Sequence, residues 1–244
     1  MTNAVLLDNV SHNELRVKTG FSAKYGDNIN QVLVFPTEFA FVQREYPIFF
    51  RKDEKGEFQA VALLGLDKGE NLFLDKPRWN ARYIPAVQQR GPFLIGLHTG
   101  EDEGSDDREP MIHVDLDHTR ISFEEGTPVF LRHGGNSPYL EHVSRMLQII
   151  YQGTALAKPM FTAFEEAGLI EAMEAEVVID EQVKYKLPDF FTINQDRLAA
   201  LDGETLERLN RQGYLQLAML VVHSLGNVDW LIELKKRNMA AGQG

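Results

Sequence analysis

VALLGLDKGENLFLDKPRWNARYIPAVQQRGPF, residues 61–93, carries four elements with no slack between them. An apolar strand (61–64) enters a polar Gly turn (67–70), an aromatic strand (72–74) follows, and a short helix (83–89) stops at Gly91 and Pro92. Apolar and aromatic runs bounded by Gly, Pro, Asn and Asp read as strands. Pro stops a helix because it has no N–H and crowds the preceding turn. The stretch predicts antiparallel strands alternating with very short helices.

Upstream, residues 48–51 and 58–64 flank the polar turn 52–57, a hairpin pattern. Residues 38–45 predict a short helix stopped by Pro47, residues 31–35 a strand running into Pro36, and residues 6–17 a strand and turn. REYPIFF (44–50) and QRGPFLI (89–95) repeat the order helix end, Pro stop, apolar strand, so two such units are expected side by side.

Downstream, residues 101–109 hold six acids and one Arg and predict a solvated loop. Residues 112–116 alternate as a half-exposed strand does, and residues 126–131 suggest another. Ser137 as N-cap and Pro138 at the first helical position open a helix with Leu140, Val143, Leu147, Ile150 and Tyr151 on one face. Pro159 should kink or divide it before Met160, Phe161 and Phe164 carry the apolar face to Gly168. Residues 176–180 and 183–187 read as a late hairpin closed by Pro188, and from Asn194 the chain is helical. The last helix, 228–237, ends in Lys235, Lys236 and Arg237, cations at the negative end of its dipole, and residues 239–244 read as a flexible tail.

These elements predict an α+β fold: a mostly antiparallel N-terminal sheet with short helices (residues 1–135) packed on a C-terminal helical part with one hairpin (136–238). The apolar faces of the central and final helices are too long for the helical part to bury alone, so residues 1–244 are expected to form one integrated domain with two lobes.

The net charge of −11 and pI of about 5.1 argue against nucleic acid or an anionic membrane as partner. Without cysteine there is no disulfide, thiol nucleophile or Cys-type metal site. No basic segment with a long apolar core opens the chain, and no uncharged apolar run approaches the roughly 18 residues of a membrane span. The expectation is a cytoplasmic protein without an integral membrane segment.

His113, Asp115 and Asp117 share one strand face and His118 follows, a weak candidate for a divalent metal, because alternation with Ile112, Val114 and Leu116 already accounts for a wet face. Arg78, Trp79, Arg82 and Tyr83, next to Asn71, form an aromatic and basic set suited to stacking and to holding a carboxylate or a peptide. Equally, the two aromatics could cap the core while both arginines pair with nearby acids. His223 reads as a satisfied core histidine. No hydrolase, zincin, Walker or dinucleotide-binding pattern occurs, so no catalytic residue and no cofactor is assigned.

ALLGL (62–66), GENLF (69–73), RWNARYIPA (78–86) and RGPF (90–93), with REYPIFF upstream, PYL (138–140) and SLGN (224–227), resemble the bacterial SapC family over nearly the whole chain. The acidic stretch 101–109 looks like an insertion in the family pattern. The family is named for a protein linked to surface-layer formation, and many members resemble neighbours of TonB-dependent uptake genes. It is not the peptide-transporter permease of the same name.

The resemblance implies a non-enzymatic binding or accessory protein with a protein partner and possible homo-oligomers, in an envelope or uptake pathway. An enzyme or ligand sensor using a pocket at residues 78–83 is the alternative, and a secreted surface-layer protein the second alternative.

Overall fold

The computed structural model describes residues 3–75, 77–99, 108–173, 176–179, 184–186 and 189–241. In chain order these form β1 (Ala4–Leu6), β2 (Arg16–Val17), β3 (Gln31–Leu33), α1 (Phe39–Val42), β4 (Ile48–Lys52), β5 (Phe58–Leu63), β6 (Leu74–Asp75), β7 (Arg78–Trp79), α2 (Ala86–Gln89), β8 (Phe93–Thr99) and β9 (Arg108–Asp115). Then follow β10 (Ile121–Ser122), β11 (Thr127–Pro128), α3 (Pro138–Glu166), β12 (Ile170–Ala172), β13 (Glu176–Val178), β14 (Lys184–Lys186), β15 (Phe191–Ile193), α4 (Gln195–Ala199), α5 (Gly203–Arg211), α6 (Tyr214–Ser224) and α7 (Asn227–Ala241). The fold is α+β with antiparallel sheets.

The main sheet has the order β12-β15-β4-β5-β3. The hairpin β4–β5 lies at its centre, with Phe49 opposite Val61 and Phe50 opposite Ala60, as the two apolar runs predicted. Its other side was not legible: β12 and β15, three residues each, come from the C-terminal half and attach to β4 where Phe191 faces Phe50. The expected third strand at 72–74 does not join this sheet. Leu74 instead pairs with Trp79 in the ribbon β6–β7, because Asn71 Oδ1 accepts the Phe73 N–H (3.0 Å) and turns the chain. The two helix, Pro and strand units both form, but β4 and β8 lie in different sheets rather than side by side.

A second sheet, β1-β9-β8, covers a smaller core of Leu15, Phe93, Val114, Val129, Leu140 and Val143. The main core gathers Phe39, Tyr46, Phe50, Leu63, Phe164 and Leu231, among others. Helix α3 serves both, Leu140, Val143 and Leu147 packing into the smaller core and Met160, Phe161 and Phe164 into the larger. Its 29 residues span about 43 Å. Ser137 Oγ accepts the Leu140 N–H (3.2 Å) and Pro138 opens the first turn, as expected.

Pro159 does not divide α3. Proline leaves the carbonyl four residues earlier without its amide donor, and here both Pro159 and Ala155 are exposed, so water can satisfy that carbonyl. Gly153 is the close-approach point: an added Cβ would sit 2.4 Å from Phe35 Cβ and 2.6 Å from Thr37 Oγ1.

The chain from Tyr214 to Ala240 is long and apolar enough, by length and composition, to cross a membrane. It divides into α6 and α7 near Gly226, and its inner face of Tyr214, Ala218, Val221 and Leu231 belongs to the main core. Lys235, with a side chain 8% exposed, bonds Asp67 and Glu70 at 2.6 Å each and fastens α7 to the turn before β6. Helix α7 continues past Arg237 to Ala241, where a tail was expected, because Met239 still packs on the core. His223 is not a core histidine: it is exposed, with Nδ1 2.7 Å from the Met219 carbonyl. Its neighbour Ser224 is buried, accepts from Ile48 N–H (2.8 Å) and donates to the Val221 carbonyl (2.6 Å).

The expected late hairpin forms as β13–β14, with Val177 opposite Tyr185. Its turn and Pro188 lie outside the described residues, as does the acidic stretch 101–109 apart from the backbone of Arg108 and Glu109 in β9.

Candidate functional site

The ribbon β6–β7 delivers Trp79 into the protein, where it is 6% exposed. Its indole N–H donates to Tyr46 Oη at 2.8 Å, and the Tyr46 hydroxyl donates to the Tyr83 carbonyl at 2.6 Å. The Tyr83 hydroxyl in turn donates to Glu38 Oε2 at 2.7 Å, which also receives the Ala86 N–H at 2.9 Å. Glu38 Oε1 takes the Phe35 N–H at 3.1 Å. One relay thus ties β7, the loop after α1, α2 and the turn Pro36–Glu38 together.

Burial pushes the Glu38 carboxyl above the usual glutamate range, and the donors from Ala86, Tyr83 and Phe35 oppose this in part. Burial also raises both phenols, Tyr83 further through the adjacent Glu38 charge. Phe21 meets Trp79 edge-on at 5.6 Å, and Phe41 stacks on Tyr83 at 5.3 Å.

Of the five residues singled out in the sequence, Trp79 and Tyr83 enter this relay. Asn71 is buried beside it, donating to the Asp27 carbonyl at 2.8 Å. Arg78 and Arg82 are exposed, with Arg82 Nε 3.8 Å from Glu45.

On β9, His113 Nδ1 lies 3.2 Å from the Met111 carbonyl and its ring covers Gly96, where an added Cβ would come within 2.3 Å of Cε1. Asp115 Oδ1 accepts from the N–H groups of Asn3 and Asp117, at 3.2 Å each. Among the described residues no three or more His, Asp or Glu side chains gather as a metal-holding group.

Sequence reasoning missed two features. The first is the buried pair Asp27–Arg120, in which one guanidinium nitrogen, Nη2, lies 2.8 Å from each Asp27 carboxylate oxygen, the two side chains being 1% and 5% exposed. The second is a cleft of about 350 Å³ between α3 and the β4–β5 turn. Leu33, Phe58, Ala60, Ala157 and Phe161 line it, and Asp53, Glu57, Lys158 and Glu165 surround it. Asp53 Oδ1 is committed to the hairpin, accepting the N–H groups of Lys55 and Glu57 at 2.9 Å each, and Lys158 bonds Glu57 at 2.9 Å. Glu165 is exposed and has no such partner among the described residues. The cleft therefore combines apolar walls with an excess of negative charge. The sequence showed the 52–57 turn and the helix carrying Phe161 as separate elements but not that they face each other, since the two walls lie about a hundred residues apart in the chain.

The SapC family pattern matches residues 7–231, most of the chain. The chain belongs to the SapC family. No curated protein and no solved structure gives a significant match to this SapC chain.

Proposed function

We propose that this SapC-family chain is a non-enzymatic accessory protein that holds an extended segment of a partner protein in the cleft between α3 and the β4–β5 turn. The cleft composition carries this reading: apolar walls suit a buried aliphatic or aromatic side chain, and the carboxylates suit Lys or Arg on either side of it. The commitment of the Trp79, Tyr46, Tyr83 and Glu38 polar atoms to one another supports a scaffold role for that region. The family resemblance directs the proposal to partners in envelope or nutrient-uptake pathways, met from the cytoplasmic side.

Fluorescence anisotropy with short labelled peptides tests it, one patterned basic–apolar–basic and the other acidic–apolar–acidic. The basic peptide should bind, more weakly at higher salt, and lose about tenfold in affinity on Ala157→Trp, which fills the cleft, or Glu165→Lys. Equal binding of both peptides, no binding, or indifference to Ala157→Trp would refute the cleft as the docking site.

A further inference from the structure

We propose a second, separate site: a pocket of about 240 Å³ between α2, the start of α3 and residues 18–21 that takes a small organic anion, an oxyanion head on a short apolar body. Among the described residues no acid lines this pocket. Lys18, Arg120, Gln88, Tyr139 and His142 supply its polar wall, and Phe21 and Ile84 its apolar wall. The described lining of the α3–hairpin cleft includes Asp53, Glu57 and Glu165, so the two sites have opposite electrostatic character.

The polar groups divide into those already committed and those still available. Arg120 gives Nη2 to Asp27 and Nη1 to the carbonyls of Lys18 and Gly20, and its guanidinium carbon lies 4.6 Å from the Tyr25 ring centroid. It is therefore a fixed part of the wall. His142 Nε2 donates to Gln89 Oε1 at 2.9 Å, while the Gln89 amide N–H₂ bonds the Ile84 carbonyl and so fixes the direction of that amide.

The Tyr139 hydroxyl and the Gln88 amide have no hydrogen-bond partner among the described residues. Lys18 pairs at 3.2 Å with Glu125, whose side chain is 77% exposed, and so exposed a bond exchanges readily for one to a ligand. One ammonium, one hydroxyl and one amide N–H₂ are thus three donors of the kind an oxyanion accepts. The first turn of α3, which holds Tyr139, adds the positive end of a long helix dipole.

Isothermal titration of the full chain with benzoate and with phenyl phosphate, and with neutral benzamide as control, tests the assignment. At least one anion should bind and benzamide should not; which anion binds more tightly distinguishes a carboxylate from a phosphate ligand. Lys18→Met should weaken binding about tenfold, Tyr139→Phe less, and Lys18→Arg should preserve most of it. Tyr139→Phe breaks no bond among the described residues, so its melting temperature should match the parent, and loss of affinity in that variant reads the site rather than the fold. Binding of neither anion, equal binding of benzamide, or unchanged affinity in both Lys18→Met and Tyr139→Phe overturns the proposal.

Discussion

Arg120 Nη2 sits 2.8 Å from both carboxylate oxygens of Asp27, a forked ion pair across 93 positions of chain and almost out of reach of solvent. Asp27 also accepts the Ser22 N–H at 2.7 Å, and Arg120 holds the Lys18 carbonyl, so the pair locks the loop between β2 and β3. Removing one partner strands a buried charge. Asp27→Asn or Arg120→Met should each cost about 3–5 kcal/mol, and replacing both with apolar residues should cost less than the two single changes combined. Urea denaturation of the three variants checks this.

Glu38 gives stability a pH dependence of defined sign. Its folded-state pKa is raised, chiefly by burial, so the folded protein holds this proton more tightly than the unfolded chain does. Its contribution is fully present below the ordinary glutamate value of 4.5 and is lost as pH rises from there through the raised folded pKa. Asp67, lowered chiefly by its bond to Lys235, acts in the opposite direction: its contribution is present above 3.8 and is lost as pH falls through the lowered value. Comparison with Glu38→Gln isolates the Glu38 component. The variant should be less stable by about 1–3 kcal/mol at the acid end, because one amide oxygen replaces two acceptors, and its deficit against the parent should narrow as pH rises across that window. A pH-independent difference would contradict the assignment.

Gly153→Ala sets two effects against each other. Alanine raises helix propensity by about 1 kcal/mol, but its methyl would meet Phe35 Cβ at 2.4 Å. Both groups sit on packed backbone, so overpacking of about 1–3 kcal/mol should win and the melting temperature should fall. A rise would mean that α3 can shift away from the turn Pro36–Glu38.

Lys235→Met removes the bridge to Asp67 and Glu70. Burial alone would lower the lysine pKa, but the two carboxylates outweigh it and leave it raised. Asp67 is half exposed, which limits the cost of losing the bridge to about 1–2 kcal/mol. Amide exchange should accelerate in α7 with α3 unaffected, and exchange equally fast in both would mean that the bridge does not act locally.

Local signals were legible where residues near in sequence are also near in space. The hairpin β4–β5, the Ser137–Pro138 helix start and the Pro stops all follow from side-chain chemistry within a few positions. Three-residue strands such as Phe191–Ile193 show too little periodicity to identify a partner, and β4 lies far away in the chain. Trp79, Tyr83 and Asn71 were visible as unusual side chains, but their hydrogen-bond partners Tyr46, Glu38 and Asp27 were not, since nothing local links them. The same distance hid Asp27–Arg120 and both clefts. Pro159 misled because its effect depends on whether the freed carbonyl meets water or packed side chains, which depends on tertiary position.

The place of β15 beside β4 bears on biosynthesis. A nascent chain leaving the ribosome exposes β4 and its phenylalanines long before Phe191 can cover that edge, so the growing polypeptide carries an adhesive, half-finished sheet through most of its translation. Chaperone capture during synthesis, and aggregation of any product truncated after α3, follow from that ordering of the strands.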